Sequence, residues 1–206
     1  MDISRAAAVN RGVRLEVVTI AWMLVEAAVA LGAGIVARSV LLTAFGADSV
    51  IELLSGIALY RRLRGRSTEA AATRVSAILL VALCVYVLLS SAVGLVLRVV
   101  PEGSITGIAI AAAAVVAMPL LARAKGRVNQ VLDSPSLRAD IAESISCAYL
   151  AAVTLAGLAV SLLTGWWWAQ YAAALLLLIW LVPESREALD GWRHNGADQG
   201  GRQSHD

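Results

Sequence analysis

Ala47-Asp48-Ser49-Val50-Ile51-Glu52 and Ala139-Asp140-Ile141-Ala142-Glu143-Ser144-Ile145-Ser146-Cys147 set carboxyl groups inside two long apolar stretches. Four similar stretches accompany them, and together the six cover 15–37, 39–60, 74–99, 104–122, 137–163 and 166–183. Runs near 20 residues are what a helix needs to cross about 30 Å of hydrocarbon. The 206-residue chain is 59% hydrophobic, with a mean hydropathy of +0.76. An ordinary soluble domain would be roughly 45–50% apolar. The short alternating strands of a membrane β-barrel are absent from the pattern. An all-α membrane protein of six transmembrane helices is therefore expected, with one domain over 15–183. It is flanked by a polar arm, 1–14, and by a Gly-rich tail, 184–206, expected to be largely disordered.

Charge placement orients the helices. Fifteen of the 17 basic residues fall in the N-terminal arm, the second-to-third loop, the fourth-to-fifth loop or the tail, and only Arg38 and Arg98 fall on the other side. Excess Lys/Arg marks cytoplasmic loops. Both termini are thus expected in the cytoplasm, which agrees with an even number of crossings. Topology accounts for the basic loops without a nucleic-acid partner. The arm lacks the small-residue cleavage site of a signal peptide, so the first helix is read as retained. Ser134-Pro135 reads as a helix start, with an N-cap followed by Pro at the first helical position. Trp166-Trp167-Trp168 reads as an interfacial anchor.

The second and fifth stretches share the Ala-Asp-x-x-(x)-Glu pattern, and each is the middle helix of three. With three helices per half, the halves lie in opposite orientations. That is a 3+3 inverted repeat, the arrangement of many secondary transporters, with the site at mid-depth between the halves.

An uncompensated charge at the bilayer centre costs at least about 2.5–3.5 kcal/mol, so intramembrane acids are candidate functional groups. The only bases within the six stretches are Arg74, Arg98 and Arg138, each within two residues of a stretch's end, so none lies near Asp48 or Glu52. Asp48 and Glu52, four apart, share a helix face, as do Asp140, Glu143 and Cys147. At 1.5 Å per residue, Glu52 is level with Glu143 and Asp48 with Cys147. Asp48, Glu52, Glu143 and Cys147 are therefore expected to present four donors as a compact metal site. Carboxylate oxygen and thiolate sulfur both suit zinc-like ions. Asp140, with Arg138 or Arg127 as a plausible partner, and Glu26 are accessory or proton-carrying candidates. Cys84 and Cys147 both fall in spans and offer no disulfide framework. Neither His194 nor His205 lies in a span and no nucleophile–base pair is visible, so no enzyme is expected.

Phe45-Gly46-Ala47-Asp48-Ser49-Val50-Ile51-Glu52 resembles the second transmembrane helix of the cation diffusion facilitators, which carries an acid-x-x-x-acid metal motif. Arg138-Ala139-Asp140-Ile141-Ala142-Glu143-Ser144-Ile145-Ser146-Cys147 resembles their fifth helix, Arg-Ala-Asp-x-x-His-x-x-x-Asp. The resemblance implies six helices, cytoplasmic termini, a homodimer, and exchange of a divalent metal such as zinc for protons across a bacterial cytoplasmic membrane. The metal would be the transported substrate, and no other cofactor is expected. Glu143 stands where the family has His, and Cys147 where it has Asp. The family's cytoplasmic domain is not expected here, since 23 residues after Pro183 cannot bury a core. Those departures motivate an alternative, a non-transporting regulatory or partner protein derived from such a carrier. Export of organic cations is a weaker rival, since only Phe45 and Trp22 could line an aromatic pocket.

Overall fold

A computed structural model describes residues 5–63 and 69–202. Six helices follow one another: α1 Arg5–Val36, α2 Val40–Leu63, α3 Glu69–Val96, α4 Ile105–Leu132, α5 Pro135–Thr164 and α6 Ala169–Arg202. No strand occurs among the described residues. Five helices, α1 to α5, are long and apolar enough to cross a membrane. They are consistent with a multi-pass membrane protein. α6 is not among the five, because its apolar run gives way at Pro183-Glu184-Ser185-Arg186.

Several boundaries differ from expectation, and the largest differences lengthen helices. α1 begins at Arg5, so most of the polar arm is its first turns. α4 runs to Leu132, past the expected end at 122, and carries Arg123, Lys125 and Arg127 with it. The fourth-to-fifth loop shrinks to Asp133 and Ser134. α6 passes through Pro183 to Arg202, over most of the tail read as disordered; residues 203–206 and His205 among them lie outside the described residues. Amphipathic helices at a bundle's polar ends keep their backbone hydrogen bonds, which hydropathy alone does not register. Ser134 is the N-cap of α5 with Pro135 at its first position, as the sequence implied.

The order of packing places the acids. α1 packs on α2 and α4, α4 on α5, and α5 back on α2, which closes a four-helix ring. α3 and α6 pair with each other outside it, with α3 leaning on α2 and α6 on both α5 and α2. α2 is the most enclosed of the five apolar helices. Large apolar side chains such as Leu88 and Val93 of α3 or Val17 and Leu24 of α1 remain exposed on the bundle's outside. In a bilayer that surface meets lipid.

Small residues set the closest approach. A Cβ on Gly34 would stand 2.7 Å from the backbone nitrogen of Thr43, and one on Gly46 would stand 2.7 Å from that of Leu31. These glycines let α1 and α2 touch through their backbones, as small residues do between membrane helices. At the same end, Ser39 donates to Gln170 Oε1 at 2.6 Å, and Gln170 Nε2 donates to Ser161 Oγ at 3.2 Å. The Tyr171 hydroxyl donates to the Val99 carbonyl at 2.8 Å. Trp166 and Trp168 stack in the α5–α6 turn with ring centres 5.4 Å apart.

α1 and α3 terminate alike. Ser39 N donates to Gly34 O and Val99 N to Gly94 O, both at 2.9 Å, the six-to-one bond of a Schellman motif. The residue that must turn left-handed is Arg38 at φ 52° in one and Arg98 at φ 51° in the other. A left-handed non-glycine residue costs roughly 1–2 kcal/mol. Arg38→Gly and Arg98→Gly are accordingly expected to raise the melting temperature in detergent. Arg38→Val, whose branched Cβ fits that region worst, is expected to lower it.

Candidate functional site

Two separate polar clusters lie inside the ring, one at mid-depth and one near the end opposite Ser39. The mid-depth cluster centres on Glu26. Its position follows from the buried stripe of α1: Glu16, Thr19, Met23, Glu26, Ala27, Ala30 and Gly34 recur at helical spacing and face the ring. Glu26 is fully buried and accepts from Trp22 Nε1 at 2.6 Å, Ser49 Oγ at 2.7 Å and Cys147 Sγ at 3.4 Å. One carboxyl thereby joins α1, α2 and α5. The thiol of Cys147 is also within hydrogen-bond reach of Glu52. Glu52 Oε2 is buried without a hydrogen-bond partner.

Asp48 and Glu52 are both buried on α2, as expected of the shared face. Glu143 is half-buried on α5 and bonds Ser55. Asp48 stands within electrostatic reach of Glu26, Glu143 and Glu184. The four expected donors are thus neighbours across the α2–α5 contact. They do not point at one centre: among the described residues no group of three or more His, Cys, Asp or Glu is arranged to hold a metal ion. The thiol turns to Glu26, so Glu26, expected to be accessory, is the residue that gathers the cluster. Cys84 and Cys147 are free thiols.

Glu184 enters the cluster from α6, just after Pro183. The side chain of Glu184 is half-buried. Sequence reading placed it in the tail. The only available signal was its position one residue beyond an apolar run.

The second cluster corrects the expectation that the bundle's interior holds no base. Lys125 Nζ lies 2.6 Å from Asp140 Oδ2 and 3.1 Å from Glu16 Oε2, and all three side chains are more than nine-tenths buried. α4 carries Lys125 inward on the stripe Met118, Ala122, Lys125, Val128. The partner of Asp140 is therefore neither Arg138 nor Arg127. Arg138 instead pairs with Asp133 at 2.9 Å in solvent, where such a pair adds little. Ser144 Oγ donates to the Asp140 carbonyl at 3.0 Å and belongs to the same turn of α5. Asp140 serves the ion triad and is separate from the mid-depth acids.

The two clusters differ in chemistry. The triad has a cation of its own and ties α1, α4 and α5. The mid-depth set has acids, a thiol, a serine and an indole N–H, and none of the ion pairs among the described residues reaches Glu26, Asp48, Glu52 or Glu143. No protein-family model matches the chain, and no curated protein matches it either.

Removing one partner of a buried ion pair leaves a charge uncompensated, at a cost of about 3–5 kcal/mol. Lys125→Met is expected to lower stability by that order, and Arg138→Met, at the exposed pair, by under about 1 kcal/mol. Thermal unfolding of the two variants side by side in detergent checks the contrast.

Proposed function

We propose that the chain is a secondary carrier of a divalent metal cation, resembling the cation diffusion facilitators, that exchanges the metal for protons across a bacterial cytoplasmic membrane. α6 crosses as well in this reading, which puts both termini on the cytoplasmic side, and two copies associate as a homodimer. The observation that carries it is the mid-depth set on α1, α2 and α5, acids and a thiol with no ion-paired base. Keeping such groups away from water has no packing benefit, and a cation is the ligand that compensates them.

Asp48, Glu52, Glu143 and Cys147 are the metal donors, with Glu26 holding the Cys147 proton acceptor position while the metal is away. Rotation of Cys147 from Glu26 toward the unpartnered Glu52 Oε2 would bring sulfur and oxygen donors together. Ligands must lose their protons to bind a metal, so metal arrival releases protons and couples the two fluxes without ATP. Divalent-metal-dependent proton movement in reconstituted vesicles tests the reading. Zinc, cadmium or cobalt is expected to drive it, and Asp48→Ala to abolish it while the protein remains folded. Absence of flux with any of these metals and with manganese and iron overturns it.

The lack of a converged donor set among the described residues favours one alternative, a non-transporting partner protein. That alternative expects Asp48→Ala to leave function intact and changes on the outer surface to abolish it.

Cys147 sets the choice of metal. Thiolate selects softer ions, whereas oxygen donors alone favour magnesium, calcium or manganese. Cys147→Asp is expected to move uptake from cadmium toward manganese, and Cys147→Ser to weaken cadmium uptake with little effect on folding. Unchanged selectivity in Cys147→Ala removes the thiol from the donor set and leaves the carboxylates.

A further inference from the structure

We infer that Glu16 and Asp140 form a second cation-binding pair, occupied in this conformation by the chain's own Lys125 ammonium. The pair lies on α1 and α5, as Glu26 and Cys147 do, but nearer the end of the ring opposite Ser39. On α5, Asp140 precedes Cys147 by seven residues, or about 10 Å, and on α1, Glu16 precedes Glu26 by ten, or about 15 Å. A cation approaching the mid-depth acids from that end meets Glu16 and Asp140 first.

Three observations distinguish this pair from a purely structural ion bridge. One ammonium faces two buried carboxyls, so acid is in excess. Glu16 Oε1 is buried with no hydrogen-bond partner, although the side chain is fully enclosed. Opposite it stands Gly56, where a Cβ would come within 2.8 Å of Oε1, so α2 leaves that oxygen room instead of a donor. The bound base is also unusual for this chain: Lys125 is the one lysine among 17 basic residues. An arginine would fork onto both carboxyls and stay, whereas lysine presents a compact ammonium on a flexible stem. It fills the place of a small cation and can swing out of it. With oxygen donors only, the pair suits a hard ion such as magnesium or manganese, unlike the thiol-containing set at mid-depth.

The role on a transport path rests on the carrier reading above, but the binding does not, and the experiment separates the two. All proteins carry Asp48→Ala, which disables the mid-depth donors. Purified protein is treated with an amine-reactive acylating reagent over a manganese titration, and modification of the single lysine is followed by peptide mass. Manganese is expected to speed modification of Lys125 severalfold, because the ion displaces the ammonium from the carboxyls. Glu16→Gln is expected to speed it without manganese and to remove the manganese dependence. In a parallel arm, Lys125→Gln is expected to bind one manganese ion, read as loss of the free-ion paramagnetic resonance signal, and Lys125→Gln with Glu16→Gln none. Should Lys125→Gln not fold, the labelling arm decides alone, since it keeps the lysine. Modification of Lys125 at a rate independent of manganese overturns the inference, whether or not the wild-type protein transports metal.

Discussion

Everything in this bundle answers to the cost of enclosing carboxyl groups in an apolar interior. Glu16, Glu26, Asp48, Glu52 and Asp140 are all buried, more acid than a bundle of this size gains anything by hiding. Two solutions appear side by side. Near one end an ammonium is brought to the acids, and at mid-depth neutral donors are brought to them. The α1 stripe carries one acid of each kind, so its register couples the two clusters. Turning α1 by one residue would move both Glu16 and Glu26 off the ring's inner face.

The helices follow from this division. α1, α2, α4 and α5 form the ring because they bear the groups that need enclosure. α3 brings no described acid into the ring, packs mainly on α2 and α6, and keeps a broad apolar surface outward. Glycines at 34 and 46 bring the α1 and α2 backbones together. A hydroxyl–amide relay, Ser39 to Gln170 to Ser161, ties α2, α6 and α5 at the other end. Each end of the ring is therefore held by polar contacts, and the middle by Glu26.

In the proposed carrier, holding a metal and holding the bundle together would make opposite demands on the mid-depth groups. Glu26 is satisfied by three donors from three helices, an arrangement that favours one packing. Glu52 Oε2, buried and unpartnered, is the group left poised for something else. A carrier needs both, since a fully satisfied polar network would have no reason to exchange its partners.

The sequence by itself determined the helical class, the start of α5 at Ser134-Pro135 and the burial of Asp48 and Glu52, because hydropathy, capping and helical spacing are local properties. Glu16 was not singled out in the sequence, and the structure is what shows it on the same buried stripe of α1 as Glu26. Other features needed the tertiary structure. Lys125 looked like one more base in a cytoplasmic loop because a hydropathy window stops α4 at the first charge, and only the packing of α4 against α1 and α5 shows that the helix carries it inward. The same holds for Cys147. Its depth was countable from the helix rise, but whether it turned to Asp48 or to Glu26 depended on how α1 and α2 rotate against α5. No one-dimensional pattern encodes a rotation, because it is the sum of many contacts between residues far apart in the chain.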